Sequence, residues 1–146
     1  MDPPLTCWYC DACGARIETP QKGYVLWNNE QGMSKDFTII HTECKVTGEH
    51  NSSLALPHFL GSRGLVELTA MLTVGPLKRA LGEKQQREVA NPDRFVDFFR
   101  RLQLEHYEEA RRYFADPRFR EDFSHADEVV PYLPETLKEI IERYSR

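Results

Sequence analysis

Long apolar runs are missing from this sequence. None approaches the roughly 20 residues that a membrane-spanning helix needs, so no membrane span is expected. An excess of positive charge is missing too. Lysines and arginines number 19 against 23 aspartates and glutamates, a net charge of -4. An acidic chain of this kind is a poor non-specific binder of nucleic acid. The opening stretch MDPPLTCWYC lacks a basic patch followed by an apolar core, so no secretory signal is expected and the cytoplasm is the expected location. Phosphate-binding loops are absent. FLGSRGL (59–65) has Gly61 and Gly64 but no Gly-Lys-Ser/Thr ending, and those glycines are expected to shape a turn. No serine occupies a G-x-S-x-G elbow.

The chain that remains has 146 residues, 40% hydrophobic and 29% charged. That is a globular composition, long enough for one domain or for a small module joined to a larger one. It holds four cysteines, and three of them crowd into Cys7, Cys10 and Cys13. Such spacing strains a disulfide. In a reducing compartment it favours metal ligation.

The character of the sequence changes near residue 50. GYVLWN (23–28) and DFTIIH (36–41) are rich in aromatic and β-branched residues and predict two strands of a hairpin. The polar stretch NEQGMSK between them predicts a long loop, and ARIE (15–18) a further short strand. KVTGEHNSS (45–53) reads as a connector. Helical periodicity follows. It marks GLVELTAMLTV (64–74), with Ser62 available as a cap. In NPDRFVDFFRRL (91–102), Asn91 predicts an N-cap and Pro92 the first helical position. There Phe95, Phe98, Phe99 and Leu102 form one apolar stripe. EHYEEARRYFA (105–115) predicts a third helix ended by Asp-Pro, and PETLKEIIERY (134–144) a fourth. The expected fold is α+β: a small zinc-bound β-hairpin module over residues 1–50, and a helical region over 54–146 packed against it.

Two close ligand pairs stand out: Cys10–Cys13, and His41–Cys44. A hairpin between them would return the second pair to the first. Three thiolates and one imidazole are a donor set that structural zinc uses, in a tetrahedron with no open position. The expected cofactor is therefore one structural Zn2+ ion. Cys7–Cys10 offers the same two-residue spacing. Gly14 favours Cys10–Cys13, because a tight knuckle often needs positive φ, and Asp11 and Ala12 suit a narrow loop better than Trp8 and Tyr9. Cys7 is then a free thiol, and His50 and His58 are surface residues.

The pattern CDACG…HTEC resembles zinc-ribbon and treble-clef modules, over about residues 7 to 46. That resemblance implies a fold rather than an activity. The strings EVANPDRFVDFFRRLQLEHYEEARRYF and VVPYLPETLKEIIERY, taken with this head, are similar to a group of small bacterial proteins of unassigned function. This second resemblance spans nearly the whole chain and implies a shared fold only.

An enzymatic reading competes. His-Thr-Glu matches the H-x-E element of zinc deaminases, with His41, Cys10 and Cys13 as ligands and Glu43 as acid/base, and a zinc hydrolase or deaminase would follow. The order of the two elements is reversed, Tyr9 stands where that family has proline, and Cys44 would be idle. The arginines of 94–120, among them Arg100–Arg101 and Arg111–Arg112, alternate with acidic residues. They predict a solvated face with pairs such as Glu108–Arg112 rather than a phosphate-binding stripe. The expectation is a zinc-stabilised adaptor or regulatory protein that binds another protein, without catalysis. A nucleic-acid-binding regulator is the alternative.

Overall fold

The computed structural model describes residues 7–44 and 49–145. It is an α+β fold, with a small antiparallel ribbon and a four-stranded sheet near the N-terminal end and helices beyond. Strands β1 (Trp8–Tyr9) and β2 (Arg16–Ile17) form the ribbon, and the Cys10–Cys13 loop joins them. The main hairpin is β3 (Gly23–Glu30) and β4 (Met33–His41). Its connection is not the long loop expected. Gln31 and Gly32 both have positive φ, 53° and 88°, so a two-residue turn whose twist matches the strands closes the hairpin. The residues 29, 30 and 33–35 that looked like loop are strand.

Short strands complete the sheet, in the order β5-β3-β4-β6. β5 (Ser52–Ala55) lies antiparallel to β3, and its first residues fall in the stretch that read as connector. Residues 45–48 of that stretch lie outside the described residues. β6 (Glu88–Val89) runs parallel to β4 at Met33 and Ser34. Val25, Leu26, Ile39 and Ile40 are all buried. Consecutive strand residues point to opposite faces, so both faces of the hairpin are covered.

Six α-helices follow among the described residues. α1 (Gly61–Ala70) starts earlier than its periodicity implied, with Leu60 at the N-cap and no capping side chain. α2 (Gly75–Ala80) buries no residue. α3 (Pro92–Gln103) follows the sequence reading closely. Asn91 Oδ1 accepts from the Arg94 N–H at 3.1 Å, and Pro92 occupies the first turn. Its buried Phe95, Phe98 and Leu102 join Phe59 and the hairpin in one core, where Phe37 stacks on Phe98 at 4.6 Å.

The expected 105–115 helix is interrupted. Leu104 is extended, His106 is left-handed at φ 69°, and α4 spans only Tyr107–Arg111. Asp116-Pro117 then starts a helix instead of merely ending one. The Asp116 side chain accepts from the Arg118 N–H at 2.8 Å and caps α5 (Pro117–Phe123). α6 (Pro134–Tyr144) packs Leu137, Ile140 and Tyr144 on Tyr107 and Ala110, a second apolar cluster beside the first. Among the described residues, no helix is long and apolar enough to cross a membrane.

Candidate metal centre

The β1–β2 ribbon lies against the open edge of β4, and backbone hydrogen bonding explains why. Ile39 and His41 are two residues apart, so their N–H groups leave the strand on the same side. The Ile39 N–H donates to Asp11 Oδ2 at 2.8 Å, and the Asp11 N–H returns a bond to the Ile39 carbonyl at 2.8 Å. The His41 N–H points at Cys10 Sγ, 3.3 Å away. The ligand loop therefore satisfies an edge that would otherwise be exposed. The loop itself closes through the Gly14 N–H on the Cys10 carbonyl at 2.8 Å. Gly14 takes φ 79°, the left-handed conformation expected of it.

This arrangement gathers Cys10, Cys13, His41 and Cys44. Their ligand atoms all lie within 4.8 Å of one another, and the group can hold a metal ion. Cys13 Sγ is 3.3 Å and Cys44 Sγ 3.9 Å from His41 Nδ1. A tetrahedral ion with metal–sulfur bonds of ~2.3 Å needs donor separations of roughly 3.5–3.8 Å, so the four atoms fit one ion with small adjustments. Cys44 reaches the group from a short 3-10 turn, Thr42–Cys44, directly after β4.

The orientation of the histidine suits a donor role. Its Nε2 lies 3.0 Å from the Arg16 carbonyl oxygen. A carbonyl can only accept, so Nε2 carries the proton and Nδ1 presents its lone pair to the sulfurs. Partners of this kind fix the tautomer of ligating histidines.

The sulfurs differ electrostatically. Burial works against a Cys10 thiolate, but N–H groups of His41, Cys13 and Ala12 outweigh it and bring its pKa down to about 6. Cys44 is pushed the other way, up to about 11, by burial and then by hydrogen bonding and charge repulsion from Cys10 and Cys13. Crowding penalises a second and third thiolate, and a dication is the species that relieves it. Cys7 is buried and stands outside the group, with burial raising its thiol pKa. His50 and His58 also stand outside it.

One feature beside the site has no counterpart in the sequence reading. Glu108 does not pair with Arg112 on an exposed face. It is 5% exposed and binds Arg101, itself 4% exposed, through Nε at 2.8 Å and a second nitrogen at 2.9 Å. Arg101 also donates to Asp11 Oδ2 at 2.9 Å and to the Tyr9 carbonyl at 3.2 Å, and Glu108 accepts from the Tyr9 N–H at 3.0 Å. Arg112 lies over the Tyr9 ring instead. A buried pair thus clamps the ligand loop to α3 and α4. The available signal was faint: Arg101 sits three residues after Phe98, at the margin of the apolar stripe.

No protein-family model, curated protein or solved structure matches the chain.

Proposed function

We propose that the cluster binds a single zinc ion in a structural role, in a knuckle pair of the zinc-ribbon or treble-clef kind. We further propose that the protein is a cytosolic adaptor or regulator that binds another protein. The convergence of four protein donors supports the structural role, because a catalytic zinc keeps a position for water or substrate. Cys44, idle in the deaminase reading, lies within the donor group. When bound, the ion cross-links the ribbon to the end of β4 and supplies no reaction step.

The observation that carries the protein-binding reading is an apolar groove of about 510 Å3. Leu72, Val89, Phe95, Val96, Phe99 and Leu104 line it. Leu77, within α2, and Leu81, at its C-cap, are 72% and 73% exposed. Exposed apolar surface of this extent fits a protein partner's apolar segment. The arginines favour the same reading over nucleic acid. Arg101 is buried on Glu108, and Arg111, Arg118 and Arg143 pair with Asp97, Asp116 and Asp122. Guanidinium groups so engaged make a poor phosphate-binding stripe.

The test is affinity capture with the zinc-loaded protein and with Val96→Asp, which puts a charge in the groove at a 40% exposed position. A defined protein should be retained by the wild type, survive nuclease treatment, and be lost by the variant at unchanged zinc content and unfolding midpoint. Capture that the variant preserves, or that nuclease abolishes, contradicts the reading.

A further inference from the structure

A second cavity, of about 440 Å3, lies on the other side of α3, where β4, the ligand loop and α4 meet. Its volume is within the range of small-molecule sites. Phe37, stacked on Phe98, gives it an aromatic wall. Arg94, Arg101 and Arg111 line it, together with Asp11, Asp36 and Asp97, and with His50.

Four of these six charges are already engaged. Arg101 binds Asp11 at 2.9 Å, with Glu108 behind it, and Arg111 binds Asp97 at 2.8 Å. Arg94 and Asp36 are different. Among the described residues, the Arg94 side chain has no carboxylate at ion-pair distance, and Asp36 meets only the neutral amide of Asn28, at 3.0 Å. Among the described residues, the cavity therefore offers one cation and one anion without an ion-pair partner.

The backbone is shaped to present them. Leu26 pairs with Thr38 and Asn28 with Lys35, so Asp36 and Phe37 together oppose Trp27 alone. This is a β-bulge, with Asp36 left-handed at φ 58°. Adjacent strand residues ordinarily face opposite ways, yet Asp36 and Phe37 both line this cavity. Bulges re-aim side chains in this manner, and aspartate tolerates the left-handed region better than most residues.

We propose that this cleft binds a small zwitterion of the α-amino-acid type. The ligand's carboxylate meets Arg94, its ammonium meets Asp36, and its side chain lies along Phe37. With the other charges paired, a dianion such as phosphate would meet Asp36 as well as Arg94, and a simple cation would meet Arg94 as well as Asp36. Only a ligand carrying both signs answers both free charges. The cleft would make the protein responsive to a metabolite, independently of the apolar groove.

Isothermal titration of the zinc-loaded full chain with each of the twenty common L-amino acids tests this, with acetate and ethylammonium as probes of one sign. At least one amino acid should bind, and neither single-charge probe should match it. Arg94→Ala and Asp36→Asn should each weaken binding by at least about tenfold, the lower end for losing a hydrogen bond to a charged group. Both positions are exposed, so unfolding midpoints should hold. Binding by no amino acid overturns the proposal. So does equal binding of acetate or ethylammonium, or binding that either variant leaves unchanged.

Discussion

Asp11 and Arg101 are ninety residues apart in the chain and 2.9 Å apart in the structure. One belongs to the metal-ligand loop and the other to α3. Arg101 is held by Glu108 on its far side, and the Trp8 indole N–H donates to the Arg101 carbonyl at 3.0 Å. Burial alone would lower the guanidinium's pKa, but Glu108 and then Asp11 more than reverse it, so the arginine stays charged. The ligand loop is thus anchored by a buried charge, and an ion bound by the four donors would anchor it a second time.

Removing one member of that pair should be costly. Arg101→Met leaves the Glu108 carboxylate buried without its cation and should destabilise the protein by about 3–5 kcal/mol. Arg101→Met combined with Glu108→Leu should recover part of the loss, since no isolated charge remains. Urea unfolding of the zinc-loaded proteins measures both. A single variant as stable as the wild type would show that the pair does not hold the loop.

Register at the metal can be tested by substitution. Cys7→Ser should keep one metal per chain, because Cys7 lies outside the donor group. Cys10→Ser should lose it or bind it far more weakly, because Cys10 supplies a thiolate and also receives the His41 N–H. Elemental analysis of protein purified without chelators distinguishes them. Equal loss in both variants would make Cys7 a ligand.

Acid should act through Asp97. Its carboxylate accepts from Tyr107 Oη at 2.6 Å and from Arg111 at 2.8 Å. Burial pushes its pKa up, but the bonds from Arg111 and then Tyr107 outweigh this and hold it below the usual value. A lowered folded pKa stabilises the fold above the unfolded pKa of about 3.9, and that contribution is lost as pH falls through the folded pKa. At 33% exposure, solvent screening moderates the effect. Asp97→Asn should cost about 1 kcal/mol at pH 7, and its gap from wild type should narrow at pH 3. Unfolding curves at both pH values check this, and a gap independent of pH contradicts it.

What could be read from the sequence was what local pattern encodes. The α3 stripe and Asn91 cap follow from spacing and from an unpaired N–H that needs an acceptor. The two close Cys and His pairs that the fold brings into one donor group were equally legible, since metal geometry demands close donors. The hairpin turn was not, because Gln31-Gly32 lacks the usual Asn-Gly signature. β5 and β6 are short strands whose partners, not their residues, make them strands. Asp116-Pro117 was ambiguous because the same dipeptide ends one helix and caps the next. The Arg101–Glu108 pair was hidden most deeply. Alternating charges on helices look alike until tertiary packing turns one of each sign inward.

A structural zinc is proposed to hold the β1–β2 ribbon against β4. Amide hydrogen exchange on zinc-loaded and verified metal-free protein tests it most directly. The Ile39 and His41 amides report the junction, since their partners are Asp11 and Cys10 in the ligand loop. Zinc removal should expose these two amides and loosen the hairpin first, while α6 and its cluster with α4 keep most of their protection. If Ile39 and His41 stay protected without the metal, the ion is not what holds this module together, and an open, functional metal site becomes the better account.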